Sequence, residues 1–266
     1  MLCYNIHSRG SYAFSNAFFT LSSPATGRGH THFKCFMGCR SVGDRTAMIE
    51  LQELSVGYNH SPVTSIISGH IAVGSMTAIV GENGCGKSTL LKTLAGFLPP
   101  VNGHIIWPHG RPDTGWLAQR NTLESDFPIV VQDVVSMGLW PRVSLFRSIR
   151  RSERLRIAAA LERVGLLHLA KSPIETLSGG QFQRMLFARV WLQQAPLIML
   201  DEPLTGVDEN TSHVLMSLIE EMHQRGQTIL AVLHDTTRVQ RYFPSVLRLE
   251  SERSYWQTQV HKECVS

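Results

Sequence analysis

Residues 81–89 read Gly81-Glu82-Asn83-Gly84-Cys85-Gly86-Lys87-Ser88-Thr89, a glycine-rich run closed by a lysine and two hydroxyls. The pattern G-x4-G-K-[ST] follows the apolar run 76–80 and precedes the helical run 87–96, the context of a loop that cradles phosphate. Its glycines let backbone N–H groups turn inward onto phosphate oxygens, and the helix N-terminus adds partial positive charge. Lys87 can reach the β- and γ-phosphates of a nucleoside triphosphate, and Ser88 can offer its hydroxyl to Mg²⁺. A second run, Leu197-Ile198-Met199-Leu200-Asp201-Glu202-Pro203, describes a buried strand that delivers two carboxylates at its end. Asp201 is expected on the Mg²⁺ shell, and Glu202 beside the water that attacks the γ-phosphate. A third run, Leu177-Ser178-Gly179-Gly180-Gln181, pairs an N-cap serine with two glycines that expose N–H groups, a second anion-binding helix start. One nucleotide on one phosphate loop has no need of it, so the second site is expected to serve a nucleotide on a partner chain.

These side chains need strands and helices to hold them. Apolar runs at 76–80, 103–107, 115–118, 197–201 and 228–233 read as strands. Helical stretches fall at 87–96, 130–138, 150–164, 179–194, 208–225 and 235–242. Such alternation predicts an α/β fold with a largely parallel core sheet. Residues 48–54 alternate like an edge strand. Between about 120 and 195 the pattern is mostly helical, which predicts an inserted helical subdomain.

In this order and spacing the motifs resemble those of the ATP-binding cassette (ABC) ATPases, over residues 48 to about 250. Leu177-Ser178-Gly179-Gly180-Gln181 is similar to the family's signature motif, far more specific than the phosphate loop. The resemblance implies a P-loop cassette with a parallel core sheet, an antiparallel β edge and a helical subdomain. It further implies that Tyr58 stacks on adenine, that Gln119 touches Mg²⁺ and the attacking water, that Asp208 occupies the D-loop, and that His234 contacts the γ-phosphate. The family works as a head-to-tail dimer around two ATP molecules. Each nucleotide would lie between residues 81–89 of one subunit and residues 178–181 of the other. Residues 127–138 and 201–208 are similar to those of zinc and manganese importer ATPases; siderophore and haem importers form the alternative. The implied partners are a second ATPase subunit, an integral membrane permease and a periplasmic or extracellular solute-binding protein. The implied place is the cytoplasmic face of the membrane.

Composition narrows the alternatives. Of 266 residues, 43% are hydrophobic and 17% charged, which excludes a disordered or fibrous chain. No run of 18–20 apolar residues is present, so if the protein works at a membrane another chain is expected to supply the span. The formal charge is +4, but Arg9, Arg28, Lys34 and Arg40 lie in residues 1–43, which carry no Asp or Glu. The remainder balances at 21 basic and 21 acidic residues, so the net charge gives no reason to expect nucleic acid. A nucleic-acid-linked ATPase of this family would also interrupt the cassette with coiled coils, and only about 58 residues separate Gln119 from Ser178.

Residues 1–47 are expected to be an extension, 48–255 the ATP-binding domain, and 256–266 a tail. Tyr12 to Leu21 is too interrupted by Ser15, Asn16 and Thr20 for an export signal. His30, His32, Cys35 and Cys39 match no closed zinc spacing. Arg142, Arg147, Arg150, Arg151, Arg154 and Arg156 face only Glu153, and read as a solvated face or a contact with permease or anionic lipid. Cys85 reads as one more small side chain of the loop or, beside Lys87 and a helix N-terminus, as a reactive thiol open to alkylation.

Overall fold

Runs such as Leu197–Asp201 and Thr228–Val232, buried at every position, belong to strands covered on both faces. In the computed structural model, which describes residues 47–118, 129–140 and 149–258, they lie at the centre of a six-stranded sheet. Its order is β11 (Ser254–Thr258), β10 (Ser245–Leu249), β5 (Met76–Gly81), β9 (Thr228–Val232), β8 (Leu197–Asp201) and β7 (Thr114–Leu117). All neighbours are parallel except β10 and β11. Alternate side chains of the central strands enter two different cores. Ala78, Ile198, Leu200 and Ala231 pack on one face, and Ile79, Leu197, Met199, Leu230 and Val232 on the other.

The first core is closed by helices α2 (Val131–Ser136), α3 (Arg151–Arg163), α4 (Gly179–Gln193) and α5 (Glu209–Gln224). Leu161, Met185, Phe187, Leu215 and Ile219 fill it. The second lies under α1 (Lys87–Leu94) and a separate antiparallel sheet ordered β4 (Ile67–Ala72), β1 (Ala47–Ser55), β6 (Asn102–Ile106). A two-residue turn at Asn59 and His60, both at positive φ, joins the short strands β2 (Gly57–Tyr58) and β3 (Ser61–Pro62). That geometry is the favoured one for a tight hairpin. Helix α6 (Thr236–Tyr242) follows β9. Among the described residues between β7 and β8, the regular elements are helical, joined by one isolated bridge between Val130 and Pro173.

Three expectations change. The strand at 48–54 is not at an edge: β1 is the middle strand of its sheet and pairs with both β4 and β6. Its alternation arises because Ala47, Ile49 and Leu51 face the core while Met48 and Glu50 are only partly covered. The strand near 103–107 joins that same antiparallel sheet, not the parallel one. The chain also keeps regular structure beyond residue 255, since β11 pairs with β10 through Thr258. Trp256 donates its indole N–H to the carbonyl of Ser68 at 2.9 Å, tying β11 to β4 and so one sheet to the other.

Candidate functional site

Because β5, β9, β8 and β7 run parallel, their C-terminal ends lie along one edge of the sheet, where α/β folds bind ligands. The loop after β5 carries residues 81–86, β8 ends on Asp201, and β9 leads to His234. Gln119, just after β7, lies outside the described residues, as do His30, His32, Cys35, Cys39, Arg142 and Arg147.

The phosphate loop depends on glycine at two places. Gly86 caps α1 at φ 90, and a Cβ there would meet the methyl of Thr64 at 2.5 Å. A Cβ on Gly81 would run into the carbonyl of Leu249 on β10. Lys87, 6% exposed, folds back over the loop and donates to the carbonyls of Gly81 at 2.9 Å and Glu82 at 2.6 Å. Its ammonium therefore sits over the ring of backbone formed by residues 81–87. Asn83 and Gly84 are exposed on the rim of that loop. Tyr58, presented by the β2–β3 hairpin and 49% exposed, accepts a hydrogen bond from Thr89 Oγ1 at 3.3 Å. A half-exposed aromatic ring thus stands beside the phosphate loop.

Of the two readings of Cys85, the geometry favours a packed small side chain. Its thiol is buried, with Sγ beside Gly81, and joins the core formed by Ile79, Leu90 and Leu91. Alkylation needs access as well as a cationic neighbour, and the tight loop turns this side chain inward.

Ser88 donates its hydroxyl to Asp201 Oδ1 at 2.8 Å, across 113 residues of sequence. Asp201 is almost wholly buried. Burial raises its pKa above the ordinary carboxylate value, and the charge of Glu202 pushes the same way; the Ser88 hydrogen bond and the charges of Lys92 and Lys87 oppose. A carboxylate and a hydroxyl oxygen, paired in a desolvated position, form a donor set that suits a hard divalent cation. The residues present therefore fit Mg²⁺.

Glu202 takes φ 51, a left-handed conformation uncommon for a residue with a side chain. Such backbone strain collects at functional sites. The carboxylate is held from both sides: Oε1 lies 2.8 Å from His234 Nε2, and Oε2 accepts from Thr205 Oγ1 at 3.4 Å. The structure thus brings Glu202 and His234 together at one strand-end edge, with Asp201 and Ser88 alongside.

The third motif is built as a helix start. Ser178 caps α4, its hydroxyl accepting from Gln181 N at 3.3 Å while Gln181 Oε1 accepts from Ser178 N at 2.8 Å, a complete capping box. Gly180 lets this turn lie close to the start of α5. A Cβ on Gly180 would press on Asp208 Oδ2 and Thr211 Oγ1 at 3.2 and 3.1 Å. Asp208 in turn caps α5, accepting from Thr211 N at 2.8 Å and Thr211 Oγ1 at 2.9 Å. These bonds hold its pKa below the ordinary carboxylate value. Gly179 opens α4, so residues 178–181 and Asp208 form one surface shared by two helix N-termini.

Gln183 is a residue whose role the sequence did not disclose. It is buried on α4, and its amide donates to the carbonyl of Pro203 at 2.9 Å, joining the Ser178 helix to the residue that follows Glu202. The available signal was a polar side chain between Phe182 and Met185, on a helix that otherwise buries apolar residues.

Among the described residues no helix is long and apolar enough to cross a membrane, and no cluster of His, Cys, Asp or Glu suits a further metal ion. Comparison with known proteins gives concordant matches. Residues 64–205 match the family model described as ABC transporter. The manganese transport system ATP-binding protein MntB of Bacillus subtilis (strain 168) is 37% identical over 206 residues, covering 76% of this chain and 82% of that one. The zinc transport system ATP-binding protein TroB of Treponema pallidum is 37% identical over 76% of this chain and 77% of its own. The ferric enterobactin transport ATP-binding protein FepC of Escherichia coli is 35% identical over 77% of this chain and 79% of its own. A solved metal-chelate type ABC transporter in an inward-facing conformation superposes with a TM-score of 0.67 at 27% identity, covering 80% of this chain and 83% of that one. Matched by the family model over more than half its length and by these relatives over three quarters, the chain belongs to the ABC transporter family, as an ATP-binding subunit that hydrolyses ATP.

Proposed function

We propose that this chain is the ATPase of an importer for a transition metal, manganese or zinc. It works as a head-to-tail dimer around two MgATP molecules, on a separate membrane permease supplied by a solute-binding protein. The observation that carries the metal reading is the 37% identity to both a manganese and a zinc transport ATP-binding protein. The match to the ferric enterobactin protein supports a siderophore importer as the second reading. Deleting the gene and measuring growth and cell-associated metal separates the two. Manganese or zinc dependence supports the first, and failure only on ferric siderophore replaces it with the second.

The dimer is supported by where the third motif lies. Gly180 leans on Asp208 and Thr211 at the start of α5, and the N–H groups of Gly179 and Gly180, which the capping box does not use, are available for a partner's nucleotide. In this reading residues 81–89 and Tyr58 hold a subunit's own ATP, with Lys87 on the β- and γ-phosphates. Ser88 and Asp201 would hold Mg²⁺, joined by Gln119 on the family resemblance. When bound, Mg²⁺ neutralises charge developing on the phosphate oxygens. Glu202 orients and deprotonates the attacking water, while His234 fixes the rotamer of that carboxylate and faces the γ-phosphate. Positioning and electrostatics supply the rate, since phosphoryl transfer to water needs little else from the protein. Localisation at the cytoplasmic face follows from the permease.

A further inference from the structure

Two residues that the proposed reaction cycle uses at different nucleotides, His234 and Asp208, are each followed by an acid, and one arginine holds both acids. Arg238 on α6 donates from Nη2 to Glu209 Oε2 at 3.0 Å, and its Nε lies 3.4 Å from Asp235 Oδ2. Asp235 directly follows His234 and caps α6, its Oδ1 accepting from the N–H of Thr237 at 2.9 Å and of Arg238 at 3.2 Å. Glu209 directly follows Asp208 and opens α5; its other oxygen faces His213 at 3.4 Å. The space between the two helices here is an open groove of about 340 Å³, lined by Glu209, Ser212, His213 and Met216 from one side and Asp235, Arg238 and Arg241 from the other. The Arg238–Glu209 ion pair spans that groove, while the pair with Asp235 stays on the α6 side.

We infer that Arg238 is a positioning residue that couples the His234 loop to the Asp208 turn, so that occupancy at one nucleotide alters the surface offered to the other. The inference rests on the dimeric ATPase reading. Exposed ion pairs contribute little to stability, because water screens them. Glu209 is 71% exposed and Asp235 42%, so the pairing is suited to setting the relative position of two loops and adds little to holding the fold. In this reading the guanidinium keeps Asp235, its neighbour on α6, and releases Glu209 when the two turns separate. Coupling of two sites requires such an element with more than one arrangement.

The test is steady-state ATP hydrolysis by the full chain, with the Hill coefficient for ATP and the thermal midpoint measured alongside. Wild type should hydrolyse ATP with a Hill coefficient above 1. Arg238→Ala should bring that coefficient to about 1 and lower kcat about three- to fivefold, the rate equivalent of one exposed ion pair. Its thermal midpoint should stay within about 1 °C of wild type, as surface pairs allow. Arg238→Lys should recover part of the cooperativity. Glu209→Ala should match Arg238→Ala, and the double variant should be no worse than either, the signature of one shared interaction. Unchanged cooperativity in Arg238→Ala, additive losses in the double variant, or a wild type that hydrolyses ATP without cooperativity overturns the coupling alone. A wild type without ATPase activity overturns the ATPase reading and this inference with it.

Discussion

Glu202 Oε1 lies 2.8 Å from Nε2 of His234, and the backbone of Glu202 sits at φ 51 to place it there. The pair joins the ends of two adjacent parallel strands, β8 and β9. On this relationship we propose Glu202 as the base and His234 as its clamp. Glu202→Gln should retain ATP binding, lose about 10²- to 10⁴-fold in turnover, and accumulate as a closed dimer in MgATP. Size-exclusion chromatography with and without MgATP, beside a phosphate-release assay, reads both effects. Near-normal hydrolysis would remove Glu202 from the base role.

Asp201 is a buried carboxylate whose charged form is disfavoured by its surroundings. Asp201→Asn keeps the shape and an acceptor for Ser88 but removes the charge. The ligand-free variant should melt higher than wild type, by about 2–4 °C if the relief is about 1 kcal/mol. The stabilisation that MgATP gives wild type should vanish. Differential scanning fluorimetry with and without MgATP checks both, and a variant that melts lower without ligand contradicts the argument.

The amide of Gln183 is the link from α4 to the turn behind Glu202. Gln183→Leu leaves the Pro203 carbonyl without that donor, a loss of about 1–3 kcal/mol for a buried polar group. Chemical denaturation should report it. Turnover should fall with KM for ATP little changed, because the phosphate loop is not touched.

Tyr58 offers an exposed ring, and its hydroxyl meets Thr89. If the ring stacks on adenine, Tyr58→Phe should leave KM for ATP within about twofold. Tyr58→Ala should raise it about tenfold, within the range of base–aromatic stacking. Equal effects of the two substitutions would assign the role to the hydroxyl instead.

Asp208 carries a pKa held down by the Thr211 hydrogen bonds that cap α5. A lowered carboxylate pKa contributes stability above the unfolded-state value, and that contribution is lost as pH falls through the folded-state value. Asp208→Ala should therefore melt below wild type at neutral pH. The difference should shrink once the pH drops beneath the usual carboxylate range. A gap that stays constant with pH would show that the carboxylate charge plays no part.

Read alone, the sequence determined whatever depends on contiguous residues. The phosphate loop at 81–89, the Ser178 capping box and the apolar strand ending in Asp201 and Glu202 are local patterns, because each function follows from the backbone its own neighbours adopt. The parallel core was legible for the same reason, since fully buried strands leave unbroken apolar runs. Tertiary structure decided what depends on strand order. Ser88 meets Asp201 across 113 residues, and Glu202 meets His234 across 32, because β9 inserts between β5 and β8 in a parallel register. The middle position of β1, the inward turn of Cys85, the Gln183 link to Pro203 and the Arg238 link to Glu209 belong to that class. Each joins residues that no spacing relates, and only the packing of elements around two cores sets which of them come within hydrogen-bond or van der Waals reach.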